Sequence, residues 1–429
     1  MINRIDSKFL LWGLFLLQLF LIGAILHFSI ISGPVRETAE SGIKFISSDG
    51  GREYLSLPRE SSREIVMKEL GNYTRTFAET AFVNHLTRQP LVCFREGTIA
   101  ESDGSVGVDL NDTEDVRCRC HPGWHGVDCG QPEVIWRAFM AARIPFNFTL
   151  SHTGRHRVIY LIQSSVASLQ VLEIQLMELL DVVELFVVCD LMEMMTIKSS
   201  SVLSSHRHRV LLMRHKDCSP QNMYQHLLLH LPKSVSLRDN DVILFSPLDG
   251  IFNRRAITYM KWYENWPQPA RFRLKYNVYG FFWQHPDNTV VSGVASRAST
   301  FRDYPQESLN RALTVDKAAM IIGDLNHYGG WLCKFCGQPI DIVKRLEYEF
   351  QHEHYAFGDS NPKTIDVSYV QSLVTKGFFV DGQLKLNKVQ RFGDRYYTPK
   401  YVEQNSWNFD NIITNIFAHW EDDSDDEYL

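Results

Sequence analysis

The sequence lacks a surplus of basic residues. It has 44 lysines and arginines against 50 aspartates and glutamates, for a formal net charge of -6 at pH 7. Proteins that bind nucleic acid through its phosphates need clustered positive charge, so this balance argues against a nucleic-acid partner. Apolar residues are not scarce: 45% of the chain is hydrophobic and 12% aromatic. This composition excludes a disordered chain and is sufficient for a sizeable core.

The N-terminus carries a long apolar run at 9–32, which only one glutamine, one histidine and serines interrupt. This length spans a bilayer. A cleavable signal peptide has a shorter apolar region and a small-residue cleavage site, so we expect an uncleaved anchor, with a removed signal peptide as the alternative. Arg4 and Lys8 precede the run and Arg36 follows it, which weakly favours a cytosolic N-terminus and a lumenal body.

Two further features agree with a lumenal body. Asn72, Asn111 and Asn147 each begin an Asn-x-Thr sequon and are candidate glycosylation sites, although such triplets often arise by chance. The eight cysteines, an even number, suit an oxidising compartment. For Cys189, inside the apolar segment LFVVCD, a buried free thiol remains an equal alternative.

A small disulfide-linked unit is expected at 91–131, after a polar stem at 33–90. The segment CRCHPGWHGVDC looks like the last part of an EGF-like module. A zinc site that includes His121 and His125 is the alternative, and an oxidising lumen disfavours it. Four cysteines allow three pairings, which the sequence leaves open: Cys93, Cys118, Cys120 and Cys129.

From about residue 157 onward, strand-like and helix-length segments alternate. RVIYLIQ, VVELFVVCD, RVLLMRH and DVILF are typical of strands, whereas SLQVLEIQLMELL and QNMYQHLLLHL are typical of helices. This alternation predicts an α/β fold with a mostly parallel sheet, and ligands beyond the carboxyl ends of its strands. Asp190 and Asp249 then lie at the same edge. Asp249 is the single acid after the break at Ser246-Pro247 in DVILFSPLDGIF.

Aromatic residues are frequent in the second half, in KWYENWPQPARFRLKYNVYGFFWQHP. Core packing is the simpler interpretation for any single ring. The alternative is a groove whose aromatic faces stack on sugar rings while polar groups bind hydroxyls. The C-terminal EDDSDDEYL is a block of like charge that indicates a solvated tail.

Several segments, taken in order, resemble a known family: CFREGT, CHPGWHGVDCG, DVVELFVVCD, KYNVYGFFWQHP, HYGGWLCKFCGQP, GFFVDGQ and YTPKY. They resemble the beta-1,4-mannosyl-glycoprotein 4-beta-N-acetylglucosaminyltransferases, which add the bisecting residue to N-glycans, and the likeness covers about 90–403. The resemblance implies a GT-A-like fold in a type II Golgi membrane protein. It also implies UDP-GlcNAc as donor, the β-linked core mannose of glycoprotein N-glycans as acceptor, and a divalent metal, expected to be Mn2+.

The family's Gly-Trp-x-Cys-x-x-Cys segment matches GGWLCKFCG here. Cys333 and Cys336 could pair with each other, or each could reach another cysteine such as Cys218. A redox role is disfavoured, because no thioredoxin-like strand and helix opening accompanies the motif.

Three further residues are candidates for the site. His327 is a candidate metal or phosphate ligand, with a structural histidine as the alternative. Asp359, in FGDSNP, matches a family Gly-Asp and could position an acceptor hydroxyl; a turn-capping aspartate is the alternative. Glu264 is the other candidate catalytic residue near the acceptor.

The chain departs from the family around the expected donor site. Where the family has Asp-x-Asp-Glu-Ile-Pro, this chain has PLDGIF, so Pro247 and Gly250 replace acids. The segment SPQNMYQHLLLHL also lacks the family's carboxylate and arginine. We expect Asp249 to contact the metal, helped by His327, and Asp190 to contact the nucleotide.

Two functional hypotheses follow from these departures. The first is a working transferase with a remodelled metal site, and the second is a degenerate transferase fold that binds glycans or Golgi proteins without turnover. An adhesion protein built on the EGF-like cysteines would leave the α/β body unexplained. The predicted organisation is a cytosolic tail at 1–8, an anchor at 9–32, a stem at 33–90, an EGF-like unit at 91–131, a glycosyltransferase domain at 132–403 and an acidic tail at 404–429.

Overall fold

The computed structural model describes Gln18 and residues 44–45, 82–86, 90–99, 108–110, 116–144, 156–231, 237–264, 266–303, 318–352 and 364–418. The chain divides into two units. The smaller comprises Met1–Phe45 and Pro362–Ile365, and the larger comprises Ile46–Asn361 and Asp366–Leu429. In the smaller unit, Lys44–Phe45 pairs in parallel with Thr364–Ile365.

The predicted membrane anchor at 9–32 is described only at Gln18. Within the described ranges, no helix has both the length and the apolar character needed to cross a membrane. The predicted glycosylation sites Asn72, Asn111 and Asn147 lie outside the described residues, as does most of the predicted stem.

The described strands, in chain order, are Lys44–Phe45 (β1), Phe82–Leu86 (β2), Pro90–Phe94 (β3), Val108–Leu110 (β4), Val116–Cys118 (β5), Trp124–His125 (β6), Gln131–Pro132 (β7), Val158–Ser164 (β8), Leu185–Asp190 (β9), Val210–Arg214 (β10), Val242–Ser246 (β11), Gly250–Phe252 (β12), Ala270–Val278 (β13), Gly280–Arg297 (β14), Met320–Ile322 (β15), Gly330–Lys334 (β16), Thr364–Ile365 (β17) and Asn387–Lys388 (β18). The described α-helices are Glu133–Ala142 (α1), Leu169–Glu178 (α2), Ser201–Ser205 (α3), Pro220–His230 (α4), Arg254–Trp262 (α5), Ala298–Asp303 (α6), Pro339–His352 (α7), Val367–Lys376 (α8), Lys400–Gln404 (α9) and Asp410–Ile413 (α10).

The main sheet has the strand order β10-β9-β8-β11-β14-β13-β16-β12, with β15 beside β13 and β18 beside β14. The first four strands in this order are parallel neighbours, as the alternating pattern predicts. Beyond β11 the sheet is mixed, because β14 is antiparallel to both β11 and β13. The prediction of a mostly parallel sheet is therefore wrong for the second half. Only one residue, Tyr279, separates β13 from β14, and a parallel crossover needs a dozen residues or more.

Strand β8 shows why helices cover both faces of the parallel half. Val158, Tyr160 and Ile162 belong to one buried cluster, whereas Ile159 and Leu161 belong to another. Successive side chains of a strand point to opposite faces, so burial of all five requires a layer on each side. Helix α2 contributes to the first cluster and helix α4 to the second.

The disulfide unit has the pairs Cys93–Cys118 and Cys120–Cys129. These pairs make the zinc alternative wrong, because the thiols bond to one another and His125 Nε2 lies 2.6 Å from Glu133 Oε2. Asp128 ties the unit to Tyr263, the residue after helix α5, since its carboxylate accepts a hydrogen bond from the Tyr263 hydroxyl at 2.5 Å. The EGF-like character of this unit stays a prediction.

Packing continues past the predicted domain boundary at 403. Phe409, Ile412 and Ile413 are buried in a cluster that also contains Val171 and Ile174 of helix α2. This part of the predicted tail therefore belongs to the packed body, whereas the acidic EDDSDDEYL itself lies outside the described residues.

Candidate functional site

The loop after strand β11 presents Asp249 at the carboxyl edge of the parallel strands. The Gly250 carbonyl holds this loop by accepting hydrogen bonds from Ser246 Oγ at 2.6 Å and Gln175 Nε2 at 2.7 Å. Asp249 has a φ of 66°, a left-handed conformation in which aspartate is enriched. Pro247 supplies neither charge nor an N–H group, so the loop itself offers one carboxylate.

The Asp249 side chain is buried and forms an ion pair with Arg345. The Arg345 Nε also donates to Glu349 Oε1 at 2.8 Å, and its Nη1 lies 3.4 Å from Ser168 Oγ. Burial alone would lower the pKa of Arg345, but the carboxylates of Asp249 and Glu349 raise it, so the guanidinium stays charged. Among the described residues, Asp249 Oδ1 and Glu349 Oε2 have no hydrogen-bond partner.

Arg345 and Glu349 were missed by sequence reasoning. Both lie on helix α7, which begins at Pro339 and follows the Cys333–Cys336 pair. Ile342 and Leu346 are buried on the same face. Positions 342, 345, 346 and 349 follow the spacing of one helical face. A basic and an acidic residue on that apolar face were the signal that could have found them.

The Cys333–Cys336 disulfide forms a short loop beside Asp249. The Cys333 N–H donates to the Asp249 carbonyl at 3.0 Å. Phe335, inside the loop, is 1% exposed. The Arg345 Cζ lies 4.8 Å from its ring centroid and the Lys334 Nζ lies 5.0 Å from it. The loop therefore places an aromatic ring and a second cation next to the buried ion pair.

Asp190 ends strand β9 at the same edge, but its side chain contacts its own loop. Its buried carboxylate accepts the N–H groups of Met192 at 3.2 Å and Met195 at 2.5 Å. Burial raises the pKa of Asp190, against the opposing effect of these bonds. The neighbouring Cys189 is bonded to Cys218, so the free-thiol alternative for Cys189 is wrong. The nucleotide-binding role of Asp190 stays a prediction.

The structure does not bring His327 together with Asp249. Asp249 precedes strand β12 and His327 lies shortly before strand β16, and these strands are antiparallel, so the two residues flank opposite ends of the pair. His327 Nδ1 lies 3.2 Å from Asp324 Oδ1. The His327 ring meets the Tyr396 ring edge-on, with 5.9 Å between the ring centroids. These contacts are those of a histidine held by its own loop and by Tyr396.

Glu264 lies near the amino-terminal edge of the sheet, opposite Asp249. Its charge acts on His156, two residues before strand β8 begins. Burial lowers the pKa of His156, Arg297 lowers it further, and Glu264 opposes this shift. Glu264 is thus not brought together with Asp190 and Asp249. Asp359 lies outside the described residues. The acceptor-side roles of Glu264 and Asp359 stay predictions.

The aromatic-rich segment is mainly core. Two of its rings are partly exposed and contact other residues. Tyr276 stacks on His285 with 4.4 Å between the ring centroids, and Trp283 Nε1 donates a hydrogen bond to the Val374 carbonyl at 2.7 Å. The others are buried, which supports core packing for them: Trp262, Tyr263, Trp266, Phe272, Tyr279, Phe281 and Phe282.

The residues around Asp249 do not fit a divalent metal. Within the described part of the chain, no group of three or more histidine, cysteine, aspartate or glutamate side chains could hold one. One oxygen each of Asp249 and Glu349 already accepts from Arg345. A divalent cation would have to lie beside a buried guanidinium of like charge.

The architecture narrows the class of protein. A large mixed sheet with four parallel strands, and acids at the carboxyl ends of two of them, is compatible with a GT-A-like nucleotide-sugar transferase. No protein-family model matches the chain, and no solved structure matches it significantly.

Curated relatives add a more specific similarity. The chain is 25% identical over 343 residues to the beta-1,4-mannosyl-glycoprotein 4-beta-N-acetylglucosaminyltransferases of Mus musculus, Rattus norvegicus and Homo sapiens. The alignment covers 70% of this chain and only 62 to 63% of the relatives' length. This similarity supports a distant relationship with that transferase family.

Proposed function

We propose that this protein is a glycosyltransferase that transfers N-acetylglucosamine from UDP-GlcNAc to the β-linked core mannose of glycoprotein N-glycans. The observation that carries the proposal is the similarity over 343 residues to three proteins with that name. The parallel half of the sheet supports it, since ligands of such sheets bind beyond the carboxyl ends of the strands. In this proposal the protein works as a type II Golgi membrane protein with residues 9–32 as its anchor.

The chemistry asks two things of the site. The leaving diphosphate must be neutralised, and a base must accept the proton of the acceptor hydroxyl. Arg345 and Lys334 are the cations placed beside Asp249. Asp359 and Glu264 remain the predicted acceptor-side acids. The expected Mn2+ requirement also stays a prediction, which the assay below tests directly.

The test is a transfer assay with the full-length chain in detergent, UDP-GlcNAc and a glycopeptide that carries a core N-glycan, run with Mn2+ and with EDTA. We expect mass spectrometry to detect one added N-acetylhexosamine that depends on the donor. Asp249→Ala should lower the rate about tenfold to a hundredfold, because it removes the acid that positions the buried cation of this edge. Asp239→Asn, in an exposed pair with Arg302, is the matched control and should retain the rate.

The second candidate function is glycan binding without turnover. The observation that favours it is the engagement of Asp249 by Arg345, which leaves the donor edge with no free acid cluster among the described residues. Isothermal titration of the same glycopeptide without donor distinguishes the two. Binding of the glycan, together with the absence of product under every donor and metal condition, would select the binding function and reject transfer.

A further inference from the structure

Asp249, the acid that follows strand β11, already has positively charged side chains of the protein beside it. Asp249 and Glu349 are buried carboxylates, and the Arg345 guanidinium bonds to both. Lys334 lies close enough for its charge to act on Asp249 as well. Two acids and two cations therefore lie near this point, and their formal charges cancel.

The two cations lie beside the aromatic ring of one short loop. Arg345 and Lys334 both approach the Phe335 ring, at 4.8 and 5.0 Å from its centroid. Phe335 has a left-handed φ of 57° between the bonded Cys333 and Cys336. Such a backbone conformation is unfavourable for a bulky residue, so the surrounding structure must hold it. The disulfide, the ring and the guanidinium thus form one packed unit against Asp249.

The geometry points to Arg345, assisted by Lys334, as a resident cation in the place where a transferase of this class would hold a divalent metal. Only the statement that a nucleotide donor binds at this edge rests on the proposed function. Asp249 Oδ2 and Glu349 Oε1 are taken by the guanidinium, and a divalent ion there would be repelled by it. Nucleotide binding at this edge is therefore independent of divalent cations.

The unpartnered oxygens give the inference a positive test. Asp249 Oδ1 and Glu349 Oε2 have no hydrogen-bond partner in the described part of the chain. Removal of the guanidinium leaves both carboxylates facing the vacated space. Two buried acids without a compensating charge must be neutralised either by protons or by a bound cation, and carboxylate oxygens are ligands that hard divalent ions prefer. Arg345→Met should therefore create metal binding that the natural protein lacks.

The experiment measures the melting temperature and UDP affinity of the full-length protein in Mn2+ and in EDTA. For the natural protein we expect the same melting temperature and the same Kd for UDP under both conditions. Arg345→Met should bind Mn2+ about tenfold or more tightly than the natural protein and should melt higher with Mn2+. Arg302→Met, at an exposed arginine, is the matched control and should show no gain.

Two results would overturn the inference. One is a saturable Mn2+ stabilisation of the natural protein that Asp249→Asn abolishes, a measurement that does not require Arg345→Met to fold. The other is a folded Arg345→Met variant that gains no Mn2+ affinity.

The transfer assay separates this inference from the proposed function. Product formed in EDTA supports both. Product that requires Mn2+ and is lost in Asp249→Asn overturns the inference and leaves the transferase proposal intact. If no product forms under any condition, but UDP binds with the same Kd in Mn2+ and in EDTA and melting is insensitive to Mn2+, the inference stands and the transferase proposal fails.

Discussion

Buried ion pairs lie at both edges of the parallel strands, and they differ in how completely their hydrogen bonds are made. At the amino-terminal edge, the Asp241 carboxylate accepts hydrogen bonds from Arg157 Nε at 2.9 Å, from Arg157 Nη2 at 2.5 Å and from the Arg238 N–H at 2.7 Å. Glu184 there accepts Lys261 Nζ at 2.5 Å and the Val158 N–H at 2.7 Å. Every carboxylate oxygen of Asp241 and Glu184 has a partner.

At the carboxyl-terminal edge the two acids that pair with Arg345 are only half satisfied, unlike Asp190, whose two carboxylate oxygens accept N–H groups. Asp249 and Glu349 share one guanidinium, and each keeps one buried oxygen without a partner among the described residues. Unsatisfied buried polar atoms are costly in a scaffold, and a functional role is one explanation for those that occur. We infer that the amino-terminal pairs fix the sheet, whereas the Asp249 cluster belongs to the site.

The largest effect should come from Asp241→Asn at the amino-terminal edge. The change removes the charge opposite Arg157, which is buried, and at least one of the three hydrogen bonds. Breaking a buried pair on one side costs about 3 to 5 kcal/mol. Urea unfolding of the full-length protein measures this loss. Asp239→Asn, two residues away in an exposed pair, should change the unfolding free energy by no more than about 0.5 kcal/mol. Equal losses in the two variants would contradict the scaffold role of Asp241.

The difference between the two edges also explains what the sequence could predict. Apolar runs identify strands β8 to β11, and the rule for parallel sheets places Asp190 and Asp249 at one edge. Arg345 is 96 positions from Asp249, and no local pattern connects residues so far apart. Cysteine pairing has the same limit, since spacing alone did not decide between Cys333–Cys336 and a link to Cys218. The β13–β14 hairpin was missed because the aromatic-rich segment was not divided into strands. Core packing, the simpler interpretation of its rings, is confirmed for most of them.

An intermediate effect, and one that depends on pH, is expected at Glu178. This acid is 5% exposed and accepts the Tyr401 N–H at 2.8 Å. Burial raises the pKa of Glu178 from 4.5 to about 7, against the N–H bonds and the charges of Arg254 and Lys400. The folded state therefore holds this proton more tightly than the unfolded state does. Stability from this group is complete below pH 4.5 and falls by about 3 kcal/mol as pH rises to about 7.

Glu178→Gln should remove that pH dependence. Glutamine keeps an acceptor for the Tyr401 N–H but carries no proton to lose, so the variant should match the natural protein in acid and exceed its stability above pH 7. Unfolding free energies across this pH range provide the measurement. Glu173→Gln, which removes the charge of the acid that accepts the Tyr401 hydroxyl but keeps an acceptor oxygen, is the control and should retain the slope. An unchanged slope in Glu178→Gln would show that another group is responsible.

The smallest effect should come from Asp249→Asn, although Asp249 is as buried as Asp241. Arg345 keeps its 2.8 Å bond to Glu349, so the guanidinium is not left without a charge partner. The change also removes a buried carboxylate that has one unpartnered oxygen. The unfolding free energy should fall by about 1 kcal/mol, the net contribution of a single hydrogen bond. The urea experiment used for Asp241→Asn measures this loss. A loss as large as that of Asp241→Asn would mean that both pairs are scaffold, and the distinction between the two edges would be lost.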